Sequence, residues 1–303
     1  MSTPLLERRI VAVKPVIVPT TDRPVPLAVK VTAPVDGDNL PLIVFSHGNA
    51  WSMDGYEPLV DRWAAAGFVV VNPTHLDSRR HGIGFDDPRF IDIWRIRISD
   101  VHAVIDHLDV ILSTAGHDLD TRADTSKLAA VGHSWGGQTV GTLLGARVLD
   151  VDGGGVGEDF SHSSVRAGAL IATAGTGDSL TDFAREHLPF MRPDFSRMST
   201  PALVIAGGKD DSALSTRGPE WLTDAYHLSP GPKRLLYIDD GEHTLGGIAG
   251  EAVHETTDED PRRVELVADA VSAYLLDVFG LSTGEWEKIA VGAAEGAYSV
   301  EGK

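Results

Sequence analysis

The chain has no cysteine, which removes disulfides, thiolate metal sites and a cysteine nucleophile together. Any nucleophile is therefore oxygen or nitrogen. Basic residues are scarce, with 26 Lys and Arg against 44 Asp and Glu and a net charge of −18. Such a field repels phosphate backbones and anionic headgroups, and short basic runs such as Arg79-Arg80-His81 do not outweigh it. Neither nucleic acid nor a membrane surface is expected as a partner. Long apolar runs are missing too, none approaching the ~18 residues of a membrane span. Glu7, Arg8 and Arg9 stand where a secretory signal would need its apolar segment, so the expected location is cytoplasmic.

What remains is a chain of 303 residues with 42% hydrophobic content, enough for a sizeable core. It reads as a single domain over 1–303, with its core at about 40–279 and a loosely attached tail at 282–303. Two Val/Ile-rich runs, 9–19 and 25–34, predict an opening antiparallel pair, with Pro15 on an edge. Short unbroken apolar runs then recur at 41–46, 67–72, 127–132, 167–172, 201–206 and 233–239. Runs without polar alternation suit parallel strands covered by helices on both faces. Helices are predicted at about 56–66, 90–112, 138–148 and 262–279, and the 233–239 strand is expected to close the sheet. The fold class is α/β, with a mostly parallel central sheet and too little inserted chain at 173–200 for a large cap. Asp150–Asp159 is acidic and Gly-rich but lacks the oxygen ligands of an EF-hand loop at its fifth and last positions, so no metal site is expected there.

The informative segment is Gly132-His133-Ser134-Trp135-Gly136, directly after one apolar run and before a helical one. G-x-S-x-G in that context holds a serine in a sharp strand-to-helix turn, with glycines two residues either side so that the backbones can approach. It presents the Ser134 hydroxyl at the sheet's carboxyl edge and leaves the Trp135 N–H free for an oxyanion. The 41–46 strand runs into His47-Gly48-Asn49, and the Asn49 N–H is the candidate second donor. A weakly nucleophilic serine needs an imidazole base, and the base needs a carboxylate. Asp210, where the chain leaves the 201–206 strand, is the favoured acid, with Asp211 its competitor. His243, beyond the last strand, is the candidate base, and His75, His81, His187 and His254 are loop alternatives. Trp51, Trp94, Trp135 and Trp221 are candidates to wall an apolar acyl pocket. His75, Arg79 and Arg80, on the 73–88 loop, are candidates for contact with a polar or anionic substrate.

The order Ser134, Asp210, His243 resembles the α/β-hydrolase superfamily over roughly 40–279. Gly132-His133-Ser134-Trp135-Gly136-Gly137 and Arg97-Ile98-Ser99-Asp100-Val101 are similar to the dienelactone-hydrolase, chlorophyllase and bacterial platelet-activating-factor acetylhydrolase-like groups. The chain departs from the first of these, which use a cysteine. It also lacks the three-glycine run after His-Gly of the hormone-sensitive-lipase-like esterases, since Asn49-Ala50 follows. The resemblance implies a serine hydrolase that cleaves a small-molecule carboxylic ester through an acyl-enzyme and needs no cofactor. Lactone, thioester or amide hydrolysis, or ligand binding on the same fold, are the alternatives.

Overall fold

The computed structural model describes residues 8–20, 23–85, 87–150, 155, 157–250 and 257–303. Among these residues eleven strands are formed: β1 (Ile10–Val18), β2 (Leu27–Pro34), β3 (Leu40–Ser46), β4 (Val69–Pro73), β5 (Ala123–His133), β6 (Arg147–Val148), β7 (Val165–Ile171), β8 (Pro193–Asp194), β9 (Ala202–Gly207), β10 (Lys233–Ile238) and β11 (Tyr298–Gly302). The helices are α1 (Glu57–Ala65), α2 (Ile93–Asp106), α3 (Leu108–Ala115), α4 (Leu119–Arg122), α5 (Trp135–Leu143), α6 (Asp182–His187), α7 (Asp224–His227), α8 (Pro261–Val278) and α9 (Glu285–Gly292).

Nine strands make one sheet in the order β1-β2-β4-β3-β5-β7-β9-β10-β11, while β6 and β8 pair separately. From β4 to β10 every neighbour is parallel, and β1, β2 and β11 add antiparallel margins. Side-chain alternation divides the core in two. Leu42, Val44, Leu128, Ala130 and Val204 face Val101, Val104 and Ile105 of α2, α3 and Val140 of α5. Their neighbours Ile43, Phe45, Ala129, Val131, Leu203 and Ile205 face Leu59 and Trp63 of α1 and Val267, Val271 and Leu275 of α8. Each strand is therefore apolar on both faces, which is why its sequence shows no alternation. The chain passes from β3 outward to β4 and returns across β3 to β5. The crevice beyond the carboxyl ends of β3 and β5 is thus a switch point, where open α/β sheets bind ligands.

Several elements differ from expectation. The predicted 90–112 helix breaks at His107, whose ring Nδ1–H donates to the Ala103 carbonyl at 2.9 Å and whose backbone leaves helical angles (φ −116°, ψ 24°). The expected 138–148 helix starts earlier, at Trp135, and stops at Leu143, because Gly145 turns the chain at φ +111° and frees Arg147 and Val148 to pair with β8. The 282–303 segment is not loosely attached. It forms α9 and then β11, which pairs with β10 from Arg234↔Gly302 to Ile238↔Tyr298, so β11 and not β10 ends the sheet. The anchor is Trp286, buried edge-on against Tyr274 with its ring centroid 5.9 Å away, and capped by the Arg234 guanidinium at 4.5 Å. Among the described residues no helix is long and apolar enough to cross a membrane.

Trp286→Ala is expected to lower unfolding free energy by roughly 3 kcal/mol, the usual cost of deleting a buried large aromatic. Denaturant unfolding measures it, and a loss below about 0.5 kcal/mol, the scale of surface changes, would mark the segment as peripheral.

Candidate active site

Ser134 sits between β5 and α5 with φ 56° and ψ −124°, a conformation that a side-chain-bearing residue adopts only under constraint. The constraint is contact between backbones. A Cβ on Gly132 would lie 2.2 Å from the Gly136 carbonyl oxygen, and one on Gly136 would lie 2.0 Å from that of Ser46. The two glycines thus serve different approaches. Gly132 lets α5 close onto its own strand, whereas Gly136 lets α5 close onto the end of β3, bringing the 47–51 turn alongside the serine.

A second close approach joins the loops after β9 and β10. A Cβ on Gly207 would meet the Gly241 carbonyl oxygen at 2.2 Å, and the Lys209 N–H donates to that same oxygen at 2.9 Å. Asp210 and His243 meet as a result. His243 Nδ1 lies 2.7 Å from Asp210 Oδ2, and His243 Nε2 lies 2.9 Å from Ser134 Oγ. The Asp210 side chain is 3% exposed and that of His243 is 46% exposed, so the acid is sequestered while the imidazole edge faces solvent. Asp211 points outward and is exposed. Trp135 follows the serine directly, and Gly48, next to Asn49, lies beside it, since a Cβ there would be 3.5 Å from Ser134 Cβ; neither the Asn49 nor the Trp135 N–H donates to an acceptor among the described residues.

Further residues hold this arrangement, and sequence reasoning had passed over them. His133 Nε2 bonds the His243 carbonyl at 2.9 Å, and its Nδ1 lies 2.8 Å from the Tyr56 hydroxyl. A carbonyl only accepts, so Nε2 carries the proton, Nδ1 accepts from Tyr56 O–H, and that hydroxyl in turn accepts the Gly48 N–H at 3.1 Å. One chain of bonds therefore ties the base loop, the serine turn and the 47–51 turn. Asp258 braces the base loop from below, accepting the Glu242 N–H at 2.8 Å, the Thr244 hydroxyl at 2.8 Å and the Gly246 N–H at 3.1 Å. Arg97 is fully buried against Asp77. Its signal was available, because an arginine at i+4 from Ile93 and i−4 from Val101 lies on the apolar face of its helix.

Other expected contacts are relocated. His75 is no substrate contact: it is fully buried, bonded to Ser46 Oγ at 2.9 Å and Asp100 Oδ2 at 3.0 Å. Arg79 and Arg80 are exposed, Arg80 being paired with Asp54. Trp221 is core, its indole N–H held by the Thr176 carbonyl. Trp51 is half-buried against Tyr56, 5.7 Å between centroids. Trp94 is half-buried and stacks on Phe190 at 6.3 Å, which stacks on Trp135 at 5.1 Å. Of the apolar set at 173–200, Leu180, Leu188, Phe190, Met191 and Phe195 are buried and only Phe183 is exposed, so the segment packs onto the body. His254 and residues 151–154 and 156 of the acidic loop lie outside the described residues; among those described, no His/Cys/Asp/Glu group is arranged to hold a metal.

Residues 5–150 match the family model described as Chlorophyllase, a span that includes Asn49 and Ser134 and stops before Asp210 and His243. The mostly parallel α/β architecture is that of the α/β-hydrolase fold. Among the described residues no cap domain is evident. No curated protein matches the chain. The family match points to the hydrolysis of esters.

Electrostatics around the site keep the buried imidazoles neutral. Burial, reinforced by neighbouring positive charge, holds His47 and His75 well below the ordinary histidine value, and burial followed by His243 brings His133 down to about 3. Burial also lifts Asp100 to about 6 against the pull of Arg23. Below pH ~6.5 the unfolded chain protonates all three histidines while the folded chain does not, so stability falls with pH at up to about 1.4 kcal/mol per pH unit for each. Asp100 acts oppositely between its ordinary value of 3.8 and about 6, since there the folded state binds the extra proton. The histidines outnumber it, so the melting temperature is expected to fall from pH 7 to pH 5. His133→Gln should flatten that fall, and an unchanged slope would show that His133 is not held neutral.

Gly136→Ala is expected to destabilise by about 3 kcal/mol or more, since its methyl would overlap the Ser46 carbonyl rather than a movable side chain. An unaltered denaturation midpoint would contradict the contact.

Proposed function

We propose that the protein is a serine hydrolase that cleaves a carboxylic ester through an acyl-enzyme. The observation that carries this reading is the unbroken series Ser134 Oγ, His243 Nε2, His243 Nδ1, Asp210 Oδ2, with spacings of 2.9 and 2.7 Å across its two hydrogen bonds. Ser134 attacks the ester carbonyl as His243 takes its proton, and Asp210 holds the imidazole in the tautomer with Nδ1 protonated and balances its charge. The carbonyl oxygen becomes an oxyanion and is met by the N–H groups of Asn49 and Trp135. His243 returns the proton to the leaving alkoxide, and the alcohol departs. Water then enters by the same route: His243 removes a proton from it as its oxygen bonds to the acyl carbonyl carbon, the acyl–oxygen bond to Ser134 breaks as His243 returns that proton to Ser134 Oγ, and the carboxylic acid is released. The residues of this sequence of steps are complete without a cofactor.

Small or medium esters suit a site without a cap. The stacked row Trp135, Phe190 and Trp94 beside the serine supports an apolar acyl or alcohol group. Lactones, thioesters and amides present the same carbonyl, and a chromogenic ester series against those classes separates them.

Labelling of Ser134 by a fluorophosphonate, with loss of labelling in Ser134→Ala, distinguishes this reading from a binding role. Ser134→Ala is expected to reduce turnover by ~10⁴-fold or more while leaving the melt unchanged. Asp210→Asn should cost up to ~10⁴-fold through the wrong imidazole tautomer, and Asp211→Asn far less. Full esterase activity in purified Ser134→Ala would sink the mechanism, and a larger loss for Asp211→Asn would move the acid by one residue.

A further inference from the structure

The turn after β3 is pinned at almost every polar backbone group. The His47 carbonyl accepts from Arg97, the Gly48 N–H donates to Tyr56 at 3.1 Å, and the Gly48 carbonyl is met by His47 Nδ1 at 2.6 Å. The Ala50 N–H donates to Asp77 Oδ2 at 3.1 Å, and the Ala50 carbonyl accepts from the Arg79 N–H at 3.0 Å. These bonds hold Ala50 at φ 67°, a region a non-glycine residue enters at a cost. Between the pinned groups, the Asn49 N–H has no acceptor among the described residues.

Behind the turn lies an ion pair that stability does not explain. Arg97 and Asp77 side chains are both fully buried, 2.7 Å apart, and Asp77 Oδ1 has no hydrogen-bond partner among the described residues. A buried pair is generally no more stabilising than apolar residues of the same volume, so its presence asks for another role. Arg97 also reaches the helix that carries the serine turn, contacting Thr139 Oγ1 at 3.3 Å and lying 5.1 Å over the Trp135 ring. It thus touches both walls: the carbonyl two residues before Asn49, and the side chain of Trp135.

We propose that the Arg97–Asp77 pair is a positioning device that fixes the Asn49 and Trp135 N–H groups at one separation before substrate arrives. This rests on the esterase reading given above. Asp77 and Arg97 grip the 47–51 turn from its two ends, on either side of Asn49. Neither side chain touches the substrate. The donors matter most when negative charge develops on the carbonyl oxygen, so loosening them lowers kcat and leaves KM in place. A lysine at 97 has one point-like ammonium and lacks the planar fork that reaches Asp77, the His47 carbonyl and Thr139 together.

The test compares wild type, the double variant Arg97→Met/Asp77→Leu, which leaves no lone buried ion, and Arg97→Lys, on a chromogenic ester and its thionoester. Sulfur in place of the carbonyl oxygen accepts hydrogen bonds weakly, so positioned donors make the ester the preferred substrate. For the folded double variant we expect ester kcat to fall about 100-fold with KM within about threefold, and the preference for ester over thionoester to collapse. Unchanged kcat in the folded double variant, a loss confined to KM, or equal losses on both substrates would overturn the proposal. If the double variant does not melt cooperatively, Arg97→Lys decides by the same readouts. Wild-type protein without Ser134-dependent turnover would overturn the esterase reading itself, and this inference with it.

Discussion

Everything at the carboxyl edge of the sheet depends on main chains lying against one another without side chains between them. Gly136 beneath the Ser46 carbonyl and Gly132 beneath the Gly136 carbonyl set the distance between β3, β5 and α5 to backbone contact. Ser134 is forced into its disfavoured conformation by that closeness and is kept there by the α5 and β3 packing around it. Gly207 against Gly241 repeats the device one strand pair away, and there it delivers Asp210 to His243. The polar residues of the site are carried by loops, yet their coordinates are fixed by sheet geometry.

A second layer of order is polar and buried. His133, Tyr56 and the Gly48 amide link three loops through neutral hydrogen bonds, and Asp258 gathers donors from Glu242, Thr244 and Gly246 under the base. Neutrality matters here, because a protonated His133 would have no acceptor to give Tyr56. Burial secures it. The ion pairs of Arg97 with Asp77 and of Arg23 with Asp100 lie beneath the turn.

The central strands were legible because their faces are both covered, which leaves unbroken apolar runs in the sequence. Ser134 and its glycines were legible because so sharp a turn tolerates few residue types. Helix ends were not. His107 interrupts its helix through a bond to its own preceding turn, and Gly145 ends α5 through a tertiary contact with the Arg197 carbonyl. The role given to 282–303 failed because a short edge strand draws on pairing with β10, a non-local interaction that leaves a weak local pattern. His75 looked like a loop residue near the site, and only the fold shows that its loop begins by turning inward. Arg97 was visible as a charge on an apolar stripe, but what it pairs with lies twenty residues away, on another loop.

The half-exposed imidazole has a consequence for which acceptor takes the acyl group. On the proposed esterase reading, an acyl group on Ser134 would stand beside the 46%-exposed His243 side chain, within reach of solvent, where water outnumbers any dissolved alcohol by orders of magnitude. Enzymes that transfer acyl groups to other alcohols must exclude water from this stage. Here the sequestered side of the imidazole faces Asp210 and the open side faces the solvent, an arrangement that, on the proposed esterase reading, would favour hydrolysis over transesterification.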